Sequence, residues 1–119
     1  MKVNSFEELE IYKSARELTK SVYAESKKDP FSKDFALKDQ IRRSAVSIMA
    51  NIAEGFERKT NPDFSRFLFM AKGSSGELRA HLTVALDQEY ITKEQFDNLY
   101  KLSRLISSMT SNLIKHLNK

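Results

Sequence analysis

Residues 40–58 read QIRRSAVSIMANIAEGFER, and the spacing of their side chains decides the fold. Ile41, Ala45, Ile48 and Ile52 recur at intervals of four, three and four, which marks one apolar helix face. Extending that line to Leu37 and Phe56 predicts a helix from about Phe35 to Gly55. Gly55 serves as the expected stop, because glycine tolerates the left-handed backbone that often ends helices. A second periodicity runs beside the first. Gln40, Ser44, Ser47, Asn51, Glu54 and Arg58 fall in one narrow sector at about 100° per residue. Val46, Met49 and Ala53 cover much of the remaining circumference. Two readings of the polar stripe stand side by side. It is the solvated face of an amphipathic helix, or it is a seam where small hydroxyl and amide groups hydrogen-bond while another backbone approaches. A catalytic reading of Asn51 and Glu54 lacks a nearby nucleophile or metal-ligand set, so no catalytic residue is assigned.

Working outward, three more helical segments appear and no convincing strand. Ser5 begins a capping-box pattern with Glu8, and Ile11, Ala15, Leu18 and Val22 follow at helical spacing. That first helix ends in KKDPF, where Pro30 pushes Asp29 out of the helical region. Asn61, Pro62 and Asp63 predict the start of a third helix: a cap, a first-position proline, and an acid at the positive end of the dipole. Phe64, Phe67, Leu68, Ala71, Leu78, Leu82 and Leu86 form its expected core face. Thr92 and Gln95 form another capping box, and Phe96, Leu99, Leu102, Ile106, Met109, Leu113 and Leu117 supply a fourth stripe. Long helices with short connections predict an all-α, antiparallel up-down-up-down four-helix bundle, a single domain over residues 1–119.

The third helix carries a second unusual feature. Gly73 and Gly76 lie inside its helical pattern, and each interior glycine costs about 1 kcal/mol relative to alanine. The helical wheel sets Gly73, Gly76 and Ala80, with Phe69, away from the core line. Small residues there let another backbone approach, which reads as a subunit contact; local fraying or a kink is the alternative. With the stripe Ser44, Ser47, Asn51 and Glu54, these residues form the expected oligomer interface.

Composition bounds the remaining possibilities. The 119 residues are 40% hydrophobic and 30% charged, with three Gly, two Pro and no Cys. The absence of Cys excludes disulfides, thiolate metal sites and a Cys nucleophile. His81 and His116 are the only histidines and fit no HExxH spacing, so neither metal nor cofactor is expected. GSSG, residues 73–76, lacks the Gly-Lys-Ser/Thr ending of a phosphate-binding loop and sits within a helix. No apolar run approaches the roughly 20 residues of a membrane span, and the N-terminus lacks a signal-peptide core; a cytoplasmic location with no membrane partner is the expectation. Net charge is +4, unevenly spread: residues 27–43 hold six Lys/Arg against three Asp. Lys13, Arg16, Lys20 and Lys27 share a sector of the first helix, and Lys72 and Arg79 lie on the third. Arg42, Arg43, Arg58, Lys59 and Arg66 are the candidate nucleic-acid contacts, able to hold phosphates without reading bases. Ordinary surface pairing with Glu17, Asp39 and Glu57 is the competing reading.

QIRRSAVSIMANIAEGF resembles the hallmark QIRRaaxSIxaNIAEGf of the four-helix-bundle family encoded by intervening sequences of bacterial 23S ribosomal RNA genes, often given a ribosomal-protein-like label. FEELEIYKSARELTKSVY and FSRFLFMAKGSSGELRAHLTVALDQEYI match the family's usual order, so the resemblance covers nearly the whole chain. Met49 departs from the Pro often found in the SIPANIAEG form, removing a helix-distorting residue. The resemblance implies an up-and-down bundle assembling into a ring-like homo-oligomer, commonly a pentamer. A related branch, the accessory variability proteins of diversity-generating retroelements, uses a basic oligomer to engage reverse transcriptase and nucleic acid. The resulting expectation is a non-enzymatic homo-oligomer binding structured RNA or DNA. The rival is an adaptor for a protein partner such as a reverse transcriptase.

Overall fold

The computed structural model describes residues 3–119. Four α-helices follow one another with no strand among the described residues: α1 Glu10–Ser26, α2 Phe35–Phe56, α3 Asn61–Asp87 and α4 Lys93–Leu117. Single 3-10 turns cover Phe6–Glu8 and Phe31–Lys33. The hydrogen bonds fix the helix directions. Ser47 meets Ser74 while Gly55 abuts Phe64, so α2 and α3 run antiparallel. Ser75 meets Ser103 while Ser65 meets Asn118, so α3 and α4 do too. α1 packs on α2 and α4, closing a bundle with extents of 45 × 21 × 20 Å.

The expected core lines of α1 and α2 are buried, Ile11, Ala15, Leu18 and Val22, then Leu37, Ile41, Ala45, Ile48 and Ile52, except that Phe56 at the α2 end is half-buried. On α4 the fit is looser. Its most buried line is Leu99, Ser103, Ile106, Ser107, Thr110 and Ile114, while Phe96, Leu102, Met109, Leu113 and Leu117 are only partly covered. Small hydroxyl residues turn toward α3 and let the helices approach closely. Ser75 and Ser103 pair closely: their hydroxyls lie 2.7 Å apart, and each is also within hydrogen-bond distance of the other's carbonyl oxygen, at 2.9 and 3.0 Å. α1, which packs on α4, has 17 residues and is too short to cover all 25 of α4.

Three helix boundaries differ from the sequence reading. Ser5 begins a 3-10 turn rather than α1, its hydroxyl bonds the Glu8 carboxylate, and α1 starts after Leu9 with no side-chain cap. Thr60, not Asn61, caps α3 by accepting from the Asp63 N–H at 3.3 Å, which moves Asn61 and Pro62 into the first turn. Gly55 does not stop α2, which continues to Phe56 and leaves through Glu57 in right-handed helical geometry. What Gly55 provides is room. A Cβ there would sit 2.8 Å from Phe67 Cβ and 2.9 Å from Phe64 Cδ1. The expected box at Thr92 and Gln95 is present in both directions.

Connections also carry core. Phe31 is buried and stacks on Tyr90 at 5.1 Å, and Ile91 is buried beside it. Asp34 accepts from the Leu37 N–H with one oxygen and from the Tyr90 hydroxyl with the other, at 3.1 and 2.9 Å. One carboxylate thus caps α2 and ties the α1–α2 connection to the α3–α4 turn.

Candidate nucleic-acid interface

The polar stripe of α2 is a seam along much of its length. Ser44 is buried and donates to the Ile41 carbonyl. Ser47 lies 2.9 Å from the Ser74 hydroxyl on α3, and Asn51 donates to the Ser47 carbonyl and hydroxyl. Toward the helix end the stripe emerges: Glu54 is exposed and paired with Arg58 at 3.0 Å. Ser44 and Ser47 therefore serve contacts inside the protomer. The other expected interface residues point outward on α3. Phe69 is 57% exposed, Ala80 is exposed, and a Cβ on Gly73 would meet nothing within 4 Å. At Gly76 the nearest atom is an Arg79 guanidinium nitrogen at 3.6 Å, the far end of a flexible side chain.

The five candidate cations do not form one patch. Arg43 and the α2 end at Phe56 are thirteen residues apart, about 20 Å along the helix at 1.5 Å per residue, and Arg58 lies beyond that end. Arg42 donates to Ser26 at 2.8 Å and stacks on Tyr23. Arg43 pairs with Asp39 at 2.8 Å, and that hydrogen bond and charge hold its pKa above the ordinary value. Arg58 and Arg66 share Asp63 and both lie over the Phe67 ring at 4.6 Å. This cluster locks the α2–α3 turn. Among the described residues, Arg42 and Lys59 of the five make no ion pair, and Lys59 is the exposed one of the two.

A different cationic surface lies along the α3–α4 groove. Lys72, Arg104, Ser107, Ser108, Ser111 and Asn112 line a depression of about 300 Å³. It runs on into a smaller one lined by Phe69, Lys72, Ser111, Ile114 and Lys115. Among the described residues Lys72, Arg79, Arg104 and Lys115 make no ion pair. One terminal nitrogen of Arg79 donates to the hydroxyls of Ser75, Ser103 and Ser107 at 3.3, 3.1 and 3.0 Å. Its charge is therefore held in place without being neutralised. Sequence reasoning singled out Lys72 and Arg79 but not this groove. A signal was present: no Asp or Glu occurs from Asn98 to Lys119.

A family model described as 23S rRNA-intervening sequence protein matches residues 7–112. Among solved structures, the chain is similar to a protein of unknown function from the S23 ribosomal protein family of Bacteroides thetaiotaomicron. The two share 28% identity and a TM-score of 0.81, over 88% of this chain and 98% of that one. No curated protein matches the chain.

Proposed function

The chain belongs to the 23S rRNA-intervening sequence protein family, and from that premise we propose a non-enzymatic helical bundle that self-associates and holds structured RNA by its phosphates. The outward face of α3 carries this reading. Gly73 and Gly76 together forgo about 2 kcal/mol of helix stability relative to alanine, and the space outside Gly73 is empty within the protomer. Exposed Ala80 and Val84 continue the same face. A close-approaching neighbour offsets that cost. A closed ring, such as the pentamer implied by the family resemblance, joins two different complementary patches. Exposed Val46 and Ala50 on α2 provide a second small, apolar one. RNA enters as the partner because unpaired cations on α3 and α4 multiply around a ring axis, and phosphate contacts need charge rather than a closed pocket.

Light scattering at tens of micromolar is the direct test. The wild type should scatter as a defined oligomer, and Ala80→Arg, which adds a bulky charge to the α3 face, should scatter as a folded monomer. A monomeric wild type refutes the self-association. An absence of RNA binding in 50 mM salt refutes the partner.

A further inference from the structure

We propose that the α3–α4 groove is a binding track for a single-stranded segment of nucleic acid, with phosphates on Lys72, Arg104 and Lys115 and a base stacked on Phe69. The proposal rests on the RNA-binding reading and assigns it a site. Three observations converge on the groove. First, its cations are uncompensated, since no acid lines either depression. Second, Ser107, Ser108 and Ser111 offer hydroxyls among those cations, and neutral hydroxyls donate to phosphate oxygens without repelling them. Third, Phe69 is 57% exposed and lines the same channel as Lys72 and Lys115. A basic groove with an aromatic platform is the arrangement that single strands select.

Groove width favours one strand over two. Packed helix axes lie about 8–10 Å apart, so a duplex roughly 20 Å wide rides over the ridges without entering. On α4, Arg104, Ser108, Ser111 and Lys115 recur at intervals of four, three and four, which lines them up along one face. Arg104 to Lys115 spans eleven residues, about 16 Å, which matches a run of roughly three phosphates on one strand. In structured RNA such a strand is a loop or an end, where bases are free to stack.

The test uses a fluorescein-labelled eight-nucleotide uridine strand, the corresponding duplex, a DNA strand of equal length, and inorganic phosphate as competitor. Wild type should bind the single strands at least fivefold more tightly than the duplex in 50 mM salt. With three to four phosphates contacted, the log–log salt slope should be about −2 to −3. Lys72→Glu/Arg104→Glu should weaken binding at least tenfold and flatten the slope by about 1.4. Lys115→Glu should act in the same direction. Phe69→Ala should lose about tenfold with the slope unchanged, which separates stacking from charge. Arg16→Glu/Lys20→Glu makes the same change in net charge on α1 and should stay within twofold. Circular dichroism and light scattering on each variant separate lost binding from lost fold or assembly.

A wild type that binds neither strand nor duplex overturns both readings. Binding that responds equally to the α1 and groove reversals leaves RNA binding standing and overturns the groove. Full competition by low-millimolar phosphate, or tighter duplex binding, also overturns the strand track.

Discussion

Replacing Gly55 with alanine should destabilise the protein even though alanine is the better helix former. The added Cβ meets Phe67 Cβ at 2.8 Å, Phe64 Cδ1 at 2.9 Å and the Phe64 carbonyl oxygen at 3.2 Å. A phenyl ring can swing aside, but a Cβ and a carbonyl move only with their helix. The substitution therefore pushes α2 and α3 apart where their connection is shortest. Overpacking of this kind costs about 1–3 kcal/mol, and rigid neighbours favour the upper half of that range. Alanine returns about 1 kcal/mol of helix propensity, leaving a net loss of about 1–2 kcal/mol. For 119 residues the unfolding entropy near 60 °C is about 0.25 kcal/mol/K, so Tm should fall by about 4–8 °C. Gly73→Ala is the internal control, because nothing lies within 4 Å of its added methyl. There the propensity gain stands alone and the isolated chain should melt about 4 °C higher, while the proposed association through the α3 face should weaken. Thermal melts by circular dichroism at low protein concentration measure both. A Gly55→Ala protein with unchanged or raised Tm refutes the close approach of α2 to α3.

Three further substitutions probe the connections. Asp34→Ala removes the α2 cap and the Tyr90 acceptor; loss of the cap alone should cost about 1 kcal/mol, read as a lower denaturant midpoint with unchanged slope. Tyr90→Phe tests the same junction by pH. The hydrogen bond to Asp34, then desolvation, then the Asp34 charge raise the Tyr90 pKa, so the fold favours the protonated phenol. Its stabilisation should be complete below the unfolded value of about 10 and vanish as pH rises through the higher folded value. The Tm gap between wild type and Tyr90→Phe should therefore be open at pH 8 and closed in strong alkali; a gap that widens there contradicts the assignment. Glu89→Gly should stabilise the protein. Glu89 holds φ 61° where the α3–α4 turn closes through Tyr90 N–H to Ala85 C=O. Relief of about 1–2 kcal/mol exceeds the glycine entropy cost of about 0.5–1 kcal/mol, so Tm should rise by a few degrees.

The bundle was legible wherever one helix face alone determines burial. Ile11, Ala15, Leu18 and Val22 on α1, and Leu37 to Ile52 on α2, are buried as their spacing requires. Boundaries were less legible because neighbouring residues compete for one role. Thr60 and Asn61 both suit a cap, and only the Thr60 bond to Asp63 decides between them. Gly55 was misread because a helix stop and a close helix approach select the same residue. Phe31 and Ile91 escaped periodicity because they lie in connections. The candidate site was the least legible part. Which cations remain free depends in part on pairing across elements: Asp63 engages Arg66 within α3 and also reaches Arg58 across the α2–α3 turn. The groove exists only once antiparallel register sets Lys72 beside Arg104 and Ser111.

α3 brings the fold and the proposed assembly into one physical account. Its adjacent Ser74 and Ser75, about 100° apart around the helix, meet different neighbours, Ser74 reaching Ser47 on α2 and Ser75 reaching Ser103 on α4. Hydroxyls at those seams satisfy one another while keeping the side chains small, so α3 sits close to both neighbours. Gly73 and Gly76 flank that pair and repeat the choice of small residues on the side facing away from the bundle. Serine in the seams is explained by partners in the same chain; glycine on the outer side has none there. Between Gly73 and Ala80, α3 has two occupied flanks and a third lined by small residues, which leaves room for a third neighbour. The first two are α2 and α4, and the third, on the proposal advanced above, is another copy of the chain.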